Sequence, residues 1–253
     1  MDKIHNNPAR VGKFTSSNIS ALMAKAKDGS FGKPALTYIA EVNFERKLVR
    51  ALNNESNARA LTWGKAVEKV AFGLLGLAYS SKNEASGDDR ETLTHPTIKY
   101  WVGSPDGLKH TTGGKTVYDI KCPYTLKSYC TFYDCKTIED VRANVDKGED
   151  YYWQLVSNAI ITGSKYAELI YFVPYKSQLE LVREYVNNYD GDQNQFAWIN
   201  WATDDQLPWL PEEGYYDNFK IIRWEVTQAS RDELTARVKA AGAMLYQAKE
   251  GQQ

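Results

Sequence analysis

The 253-residue sequence predicts an α/β fold: one domain in which a central mixed β-sheet is flanked by helices. Apolar stripes at helical spacing alternate along the chain with short segments of period 2. No repeat, low-complexity tract or linker divides it. Hydrophobic residues at 43% and charged residues at 25% match a chain of this length that buries roughly three quarters of its unfolded surface.

The elements are read in order. "FTSSNISALMAKAK" places Thr and Ser at N-cap positions ahead of Ile19, Leu22, Met23 and Ala26 on one helical face. After "DGSFGK", Pro34 stands at a helix start, and Leu36, Ala40, Phe44 and Leu48 recur every four residues. "LTWGKAVEKVAFGLLGLAY" carries Trp63, Val67, Val70, Ala71, Leu74, Leu75 and Ala78 as a broad stripe with Glu68 at its margin. "TIKYWVGS" alternates Ile98, Tyr100 and Val102 against Lys99 and Trp101, and "GGKTVYDIK" returns as the second arm of a hairpin. Period 2 puts Val117, Asp119 and Lys121 on one face and Tyr118 and Ile120 on the other, and Pro123 ends the strand. "EDYYWQLVSNAIITG" reads as a helix with Tyr152, Leu155, Ala159 and Ile160 inward and Gly163 as its C-cap. "KYAELIYFVPY" and "QLELVREYV" read as strands. Residues 196–211 read as an irregular, aromatic-rich surface excursion. "FKIIRWEV" reads as a strand and Asp232 to Lys249 as a closing helix.

Composition excludes several classes. There is no run of about 18 apolar residues, and "MDKIHNNPAR" lacks an apolar signal region, so a cytoplasmic protein with no membrane partner is expected. Cys122, Cys130 and Cys135 form no C-x-x-C pair, which argues for reduced thiols rather than a zinc site or disulfide framework. His5, His95 and His110 lack metal-binding spacing. The net charge of −1 hides an asymmetry: residues 1–69 hold twelve Lys and Arg against six Asp and Glu, whereas residues 178–253 hold seven against thirteen. A basic N-terminal part is suited to a phosphate backbone and an acidic C-terminal part to solvent.

"GSPDGL" and "VYDIKCPYT" raise a chemical question. A hard cation such as Mg²⁺ takes oxygen ligands at about 2.0 to 2.1 Å, commonly one or two carboxylates plus water and phosphate. Asp106 in a turn and Asp119 on a neighbouring strand supply two carboxylates, and Glu68 a third. Lys121, two residues on, sets an ammonium beside the attacking water and offsets charge at phosphorus. A D-x-K pair alone is commonly a solvated charge pair and P-D-G a common turn, so the weight rests on the combination.

These segments, with "ALTWGKAVEKVAF" before, "YYWQLVSNAIITG" after and "ARVGKFTSSNISALMAK" at the start, resemble the lambda-type (YqaJ-like) exonucleases of phage recombination, within the PD-(D/E)xK nuclease superfamily. The resemblance spans residues 9–175 in order and implies a restriction-endonuclease-like core. Residues 176–253 add strands and a C-terminal helix with no visible match. The resemblance implies that Asp106, Asp119, the carbonyl of Ile120 and Glu68 hold Mg²⁺, two ions, with Mn²⁺ as a substitute, and that Lys121 is the catalytic lysine. Arg10, Ser17 and Ser104 match a pocket for a 5′ phosphate, a role suited to an arginine fork with hydroxyls. The implied activity is 5′-to-3′ digestion of the 5′-phosphorylated strand of duplex DNA ends, by a ring-shaped homotrimer that works with a single-strand-annealing recombinase in the bacterial cytoplasm.

Two departures stand out. Asp119 replaces the usual glutamate, shortening the arm by about one methylene. Of the usual Gln-x-Gln only Gln154 is present, which leaves Tyr152 and Gln154 as candidates for backbone contact. Trp63 continues the apolar stripe and is expected in the core, while Leu61 is either a wedge between terminal bases or a helix staple. Alternatives are another PD-(D/E)xK endonuclease and a DNA-binding protein without catalysis. A Cas4-type nuclease is disfavoured because it needs a four-cysteine cluster.

Overall fold

The computed structural model describes residues 7–52, 59–76, 91–111 and 113–247. In chain order they form β1 (Phe14–Thr15), a 3-10 helix over Ser16–Met23, α1 (Lys33–Leu48), α2 (Arg59–Leu75), β2 (Leu93–Thr94), β3 (Trp101–Gly103), β4 (Gly107–Thr111) and β5 (Gly114–Lys121). There follow α3 (Leu126–Tyr133), α4 (Ile138–Asn144), α5 (Gly148–Thr162), β6 (Tyr166–Phe172), α6 (Leu179–Asn187), α7 (Ala197–Trp201), β7 (Phe219–Glu225) and α8 (Gln228–Gly242).

The main sheet runs β4-β5-β6-β7; β5 and β6 are parallel and the outer pairs antiparallel. A second, small sheet runs β1-β3-β2. Strand β5 is covered on both sides, which is why "TVYDI" is buried without a break. Val117 joins Ala167, Leu169, Tyr171 and Ile222 in a core shared with α5 and α8, while Tyr118, Ile120, Ile170 and Phe172 pack against α2 and α6. The predicted division of the β5 faces is therefore observed.

Local signals account for the helix ends. Pro34 lies in the first turn of α1, and α5 ends at Gly163 with φ 67°. Thr125, Thr137 and Thr227 accept backbone hydrogen bonds at the starts of α3, α4 and α8. In α2, Trp63, Val67, Val70 and Ala71 are buried as predicted, although Leu74 is exposed; Ala78 lies outside the described residues.

Several expectations are corrected. The first predicted helix is the 3-10 helix Ser16–Met23, which stops short of Ala26 and leaves it exposed. Helix α1 buries Ala35, Tyr38, Ile39 and Val42, and leaves Leu36, Phe44 and Leu48 outside. A four-residue repeat advances about 40° per step around a 3.6-residue helix and cannot hold one face, unlike the 3-and-4 spacing of the buried set. The hairpin is β4 with β5; β3 joins the small sheet instead, and Trp101 is fully buried. "QLELVREYV" forms α6, because Leu179, Val182 and Val186 at spacings of three and four meet the core while Leu181 is exposed. Burying three such side chains is worth about 1.5–3 kcal/mol each, enough to override β-propensity. Segment 196–211 contains α7 and contributes Phe196, Ile199, Leu207 and Leu210 to the interior. The C-terminal helix begins at Gln228 and ends at Gly242; Ile160 is half-buried, with Ile161 inward.

Candidate active site

The turn between β3 and β4 is built from close approaches. A Cβ on Gly103 would stand 2.4 Å from both Ser16 Oγ and Asn158 Oδ1, and one on Gly107 would stand 1.9 Å from the Tyr118 hydroxyl. Both glycines of "GSPDGL" are thus required by packing. Between them Asp106 is driven inside, 1% exposed, and its Oδ2 accepts the Ile120 N–H at 2.6 Å. Pairing between β4 and β5 stops at Gly107 opposite Tyr118. Beyond that point the Asp106 side chain substitutes for a partner strand. Since a strand residue presents its N–H and C=O to the same side, the Ile120 carbonyl faces the edge that Asp106 occupies.

Asp119, 2% exposed, and Lys121 follow on the α5 face of β5. Their side chains form an ion pair. Gln154 of α5 bridges them: its Nε2 donates to Asp119 Oδ1 at 3.1 Å, and its Oε1 accepts from Lys121 Nζ at 3.3 Å. Burial works to lower the Lys121 pKa, but Asp119 and then Asp106 more than offset it and hold the ammonium above the ordinary lysine range. The neighbouring Tyr171 hydroxyl is pushed up by burial and by Tyr151 and Asp119.

Two buried carboxylates, one from the β3–β4 turn and one from β5, and a backbone carbonyl on the same edge make an oxygen donor set of the kind Mg²⁺ accepts when water and phosphate complete it, with a lysine adjacent. Glu68 is half-buried on α2, which packs on the Tyr118 and Ile120 face of β5. Among the described residues no three His, Cys, Asp or Glu side chains assemble as a metal-holding group.

Arg10, Ser17 and Ser104 come together as expected. Arg10 Nη1 donates to Ser104 Oγ and Nη2 to Ser17 Oγ, both at 3.0 Å. Ser104 lies two residues before Asp106, so one turn ties this cluster to the carboxylates. Sequence reasoning missed the supporting groups. Thr92 Oγ1 lies 3.0 Å from Ser104 Oγ, Asn7 Nδ2 donates to that same Thr92 oxygen at 3.1 Å, and Thr15 Oγ1 lies 3.2 Å from Ser17 Oγ. Single Thr and Asn residues in a loop or a two-residue strand carry no signal that would single them out.

Tyr152 is elsewhere. It is buried, its hydroxyl is 2.6 Å from Ser230 Oγ, its ring stacks on Trp224, and Arg142 lies over it at 4.1 Å. The tyrosine beside Lys121 is the preceding one, Tyr151. One residue turns a helix by about 100°, which decides between the two faces. Trp63 is fully buried, as expected of a core residue, against Tyr124 and Trp198; Leu61, at the start of α2, is 39% exposed. The three cysteines are free thiols. No described helix is long and apolar enough to cross a membrane.

No protein-family model and no curated protein matches the sequence. Solved structures are similar. The alkaline exonuclease LHK-Exo from Laribacter hongkongensis superposes with a TM-score of 0.55 at 21% identity, over 93% of this chain and 88% of that one. The same exonuclease in complex with dAMP gives 0.55 at 21%, over 96% and 91%. A phage-related exonuclease from Haemophilus somnus 129PT gives 0.56 at 14%, over 92% of each chain. The chain therefore has the restriction-endonuclease-like fold of these exonucleases, with a mixed sheet between helices.

Proposed function

We propose that the protein is a Mg²⁺-dependent exonuclease that digests the 5′-phosphorylated strand of duplex DNA ends in the 5′-to-3′ direction. It releases 5′-mononucleotides and leaves 3′ single-stranded overhangs. The observation that carries this reading is the convergence of Asp106, Asp119 and Lys121 at the end of β5, joined by one turn to the Arg10, Ser17 and Ser104 cluster. The fold, shared with structures described as exonucleases, supports it.

Asp106, Asp119 and the Ile120 carbonyl would hold two Mg²⁺ ions, with Mn²⁺ able to replace them and Glu68 contributing from α2. When bound, such ions lower the pKa of a water and neutralise phosphate charge. The chain's own residues do the rest. Arg10 with its two serines grips the terminal phosphate dianion and so sets which phosphodiester lies over the carboxylates. Gln154 holds the Asp119 carboxylate in place, and the Lys121 ammonium orients the attacking water and meets charge developing at phosphorus. The proposal extends to a homotrimeric ring around DNA, a single-strand-annealing recombinase as partner in phage-type recombination, and action in the bacterial cytoplasm.

Linear and circular forms of one plasmid decide between this and the alternatives. Linear duplex is expected to disappear with Mg²⁺ or Mn²⁺ and to survive with EDTA, while covalently closed circles persist. Lys121→Ala should slow digestion about 100- to 1,000-fold. Cutting of closed circles would favour an endonuclease, and binding to ends without hydrolysis would favour an inactive DNA-binding protein.

A further inference from the structure

Tyr151 is half-buried and sits three residues before Gln154 on α5. That spacing puts both side chains on one helix face, and both meet Lys121. The Tyr151 ring centroid lies 5.0 Å from Lys121 Nζ, the atom that Gln154 Oε1 also contacts. The ring is itself held. Tyr171, the β6 residue opposite Lys121 in the parallel register, meets it edge to face at 6.2 Å, and Tyr171 stacks flat on Phe132 of α3 at 3.8 Å. The phase of α5 is set at its start, where Lys147 has φ 61° and a Cβ on Gly148 would stand 2.0 Å from the Val141 carbonyl of α4. With that phase, residue 151 faces the strand and residue 152 the core.

We infer that Tyr151 is a positioning residue for the reaction: its ring face holds the Lys121 ammonium at the Asp119 side of the site, braced by Tyr171 and Phe132. The inference rests on the nuclease reading above. Lysine has a flexible four-carbon stem and gives up much rotamer freedom when fixed. Asp119 cannot supply all of that restraint if its oxygens also serve a metal. An aromatic face attracts an ammonium through its quadrupole and accepts no conventional hydrogen bond, so it locates Nζ without using up an N–H that water or phosphate could take.

Two readouts test this. With 5′-phosphorylated linear duplex and Mg²⁺, Tyr151→Leu should lose about tenfold in kcat with KM within about twofold, and Tyr151→Phe should stay within about threefold of wild type. In lysine-labelled protein, the CεH₂ protons of Lys121, assigned through Lys121→Arg, should be displaced upfield by the ring in wild type and Tyr151→Phe and return in Tyr151→Leu. A Tyr151→Leu variant with wild-type kcat, a Tyr151→Phe variant as slow as the leucine, or no displacement of Lys121 in wild type overturns the inference. Should the leucine variant melt early, the wild-type resonance and the phenylalanine kinetics still decide. A wild type that digests nothing removes the nuclease reading and the catalytic role together, while the resonance judges the ring contact separately.

Discussion

Replacing Arg10 by alanine removes two donors whose directions are already set, since Nη1 and Nη2 each point at a serine hydroxyl at 3.0 Å. A terminal phosphate lying across Ser17 and Ser104 would take charge-assisted hydrogen bonds from that fork, each worth about 1.5–3 kcal/mol. The lower value for two bonds gives about 3 kcal/mol, or about 100-fold in kcat/KM. An end carrying a 5′ hydroxyl never uses the fork. Arg10→Ala should therefore depress kcat/KM about 100-fold on phosphorylated ends and leave hydroxyl ends within about threefold, so that the preference of the wild type collapses. Arg10→Lys, which keeps the charge but loses the planar fork, should fall between. The assay is initial-rate release of acid-soluble label from otherwise identical duplexes bearing either end. An equal loss on both, or a wild type indifferent to the phosphate, refutes the assignment.

Two further outcomes follow from the geometry. Gly107→Ala forces a methyl against the Tyr118 ring and hydroxyl, and should cost about 1–3 kcal/mol, lowering the melting midpoint by about 2–12 °C; a circular dichroism melt equal to wild type would show that Tyr118 yields freely. Glu149 is held below the ordinary carboxylate value of 4.5, first by hydrogen bonds from Arg142 at 2.7 and 3.0 Å, with Trp153 adding a third. A depressed folded-state pKa stabilises above the unfolded value and loses that contribution as pH falls through the folded one. The melting difference between wild type and Glu149→Gln should thus be full near neutral pH and shrink below about 4.5; a difference that grows on acidification would contradict the pairing.

Strand β5, helix α2 and helix α5 were readable from the chain because burial there follows the period of each element. So was the meeting of Asp106, Asp119 and Lys121, since a turn and an adjacent strand are close in sequence and in space. Arg10, Ser17 and Ser104 were readable only through resemblance, because β1 and β3 meet by a parallel pairing that no local pattern encodes. Strand β4, "GLKHT", was missed: it has no apolar alternation and is a strand because β5 pairs with it. In "QLELVREYV" the first four residues alternate, and only the exposure of Leu181 against the burial of Val182 and Val186 shows the helix. The exchange of Tyr151 for Tyr152 has a different origin. Both suit an aromatic helix, and the choice is made by Gly148 against α4, a contact between elements.

The shortness of β4 has a broader consequence. Strand β5 continues through Lys121 beside β6, but its hairpin partner reaches only to Gly107, opposite Tyr118, so the sheet has a notch at one corner. The Asp106 carboxylate occupies that missing length of ribbon and meets the Ile120 N–H there. Continuing β4 backwards would draw Pro105 and Asp106 into the ribbon and take from Ile120 the carboxylate that now meets its N–H, so the gap and the place of that carboxylate both come from the late start of one strand.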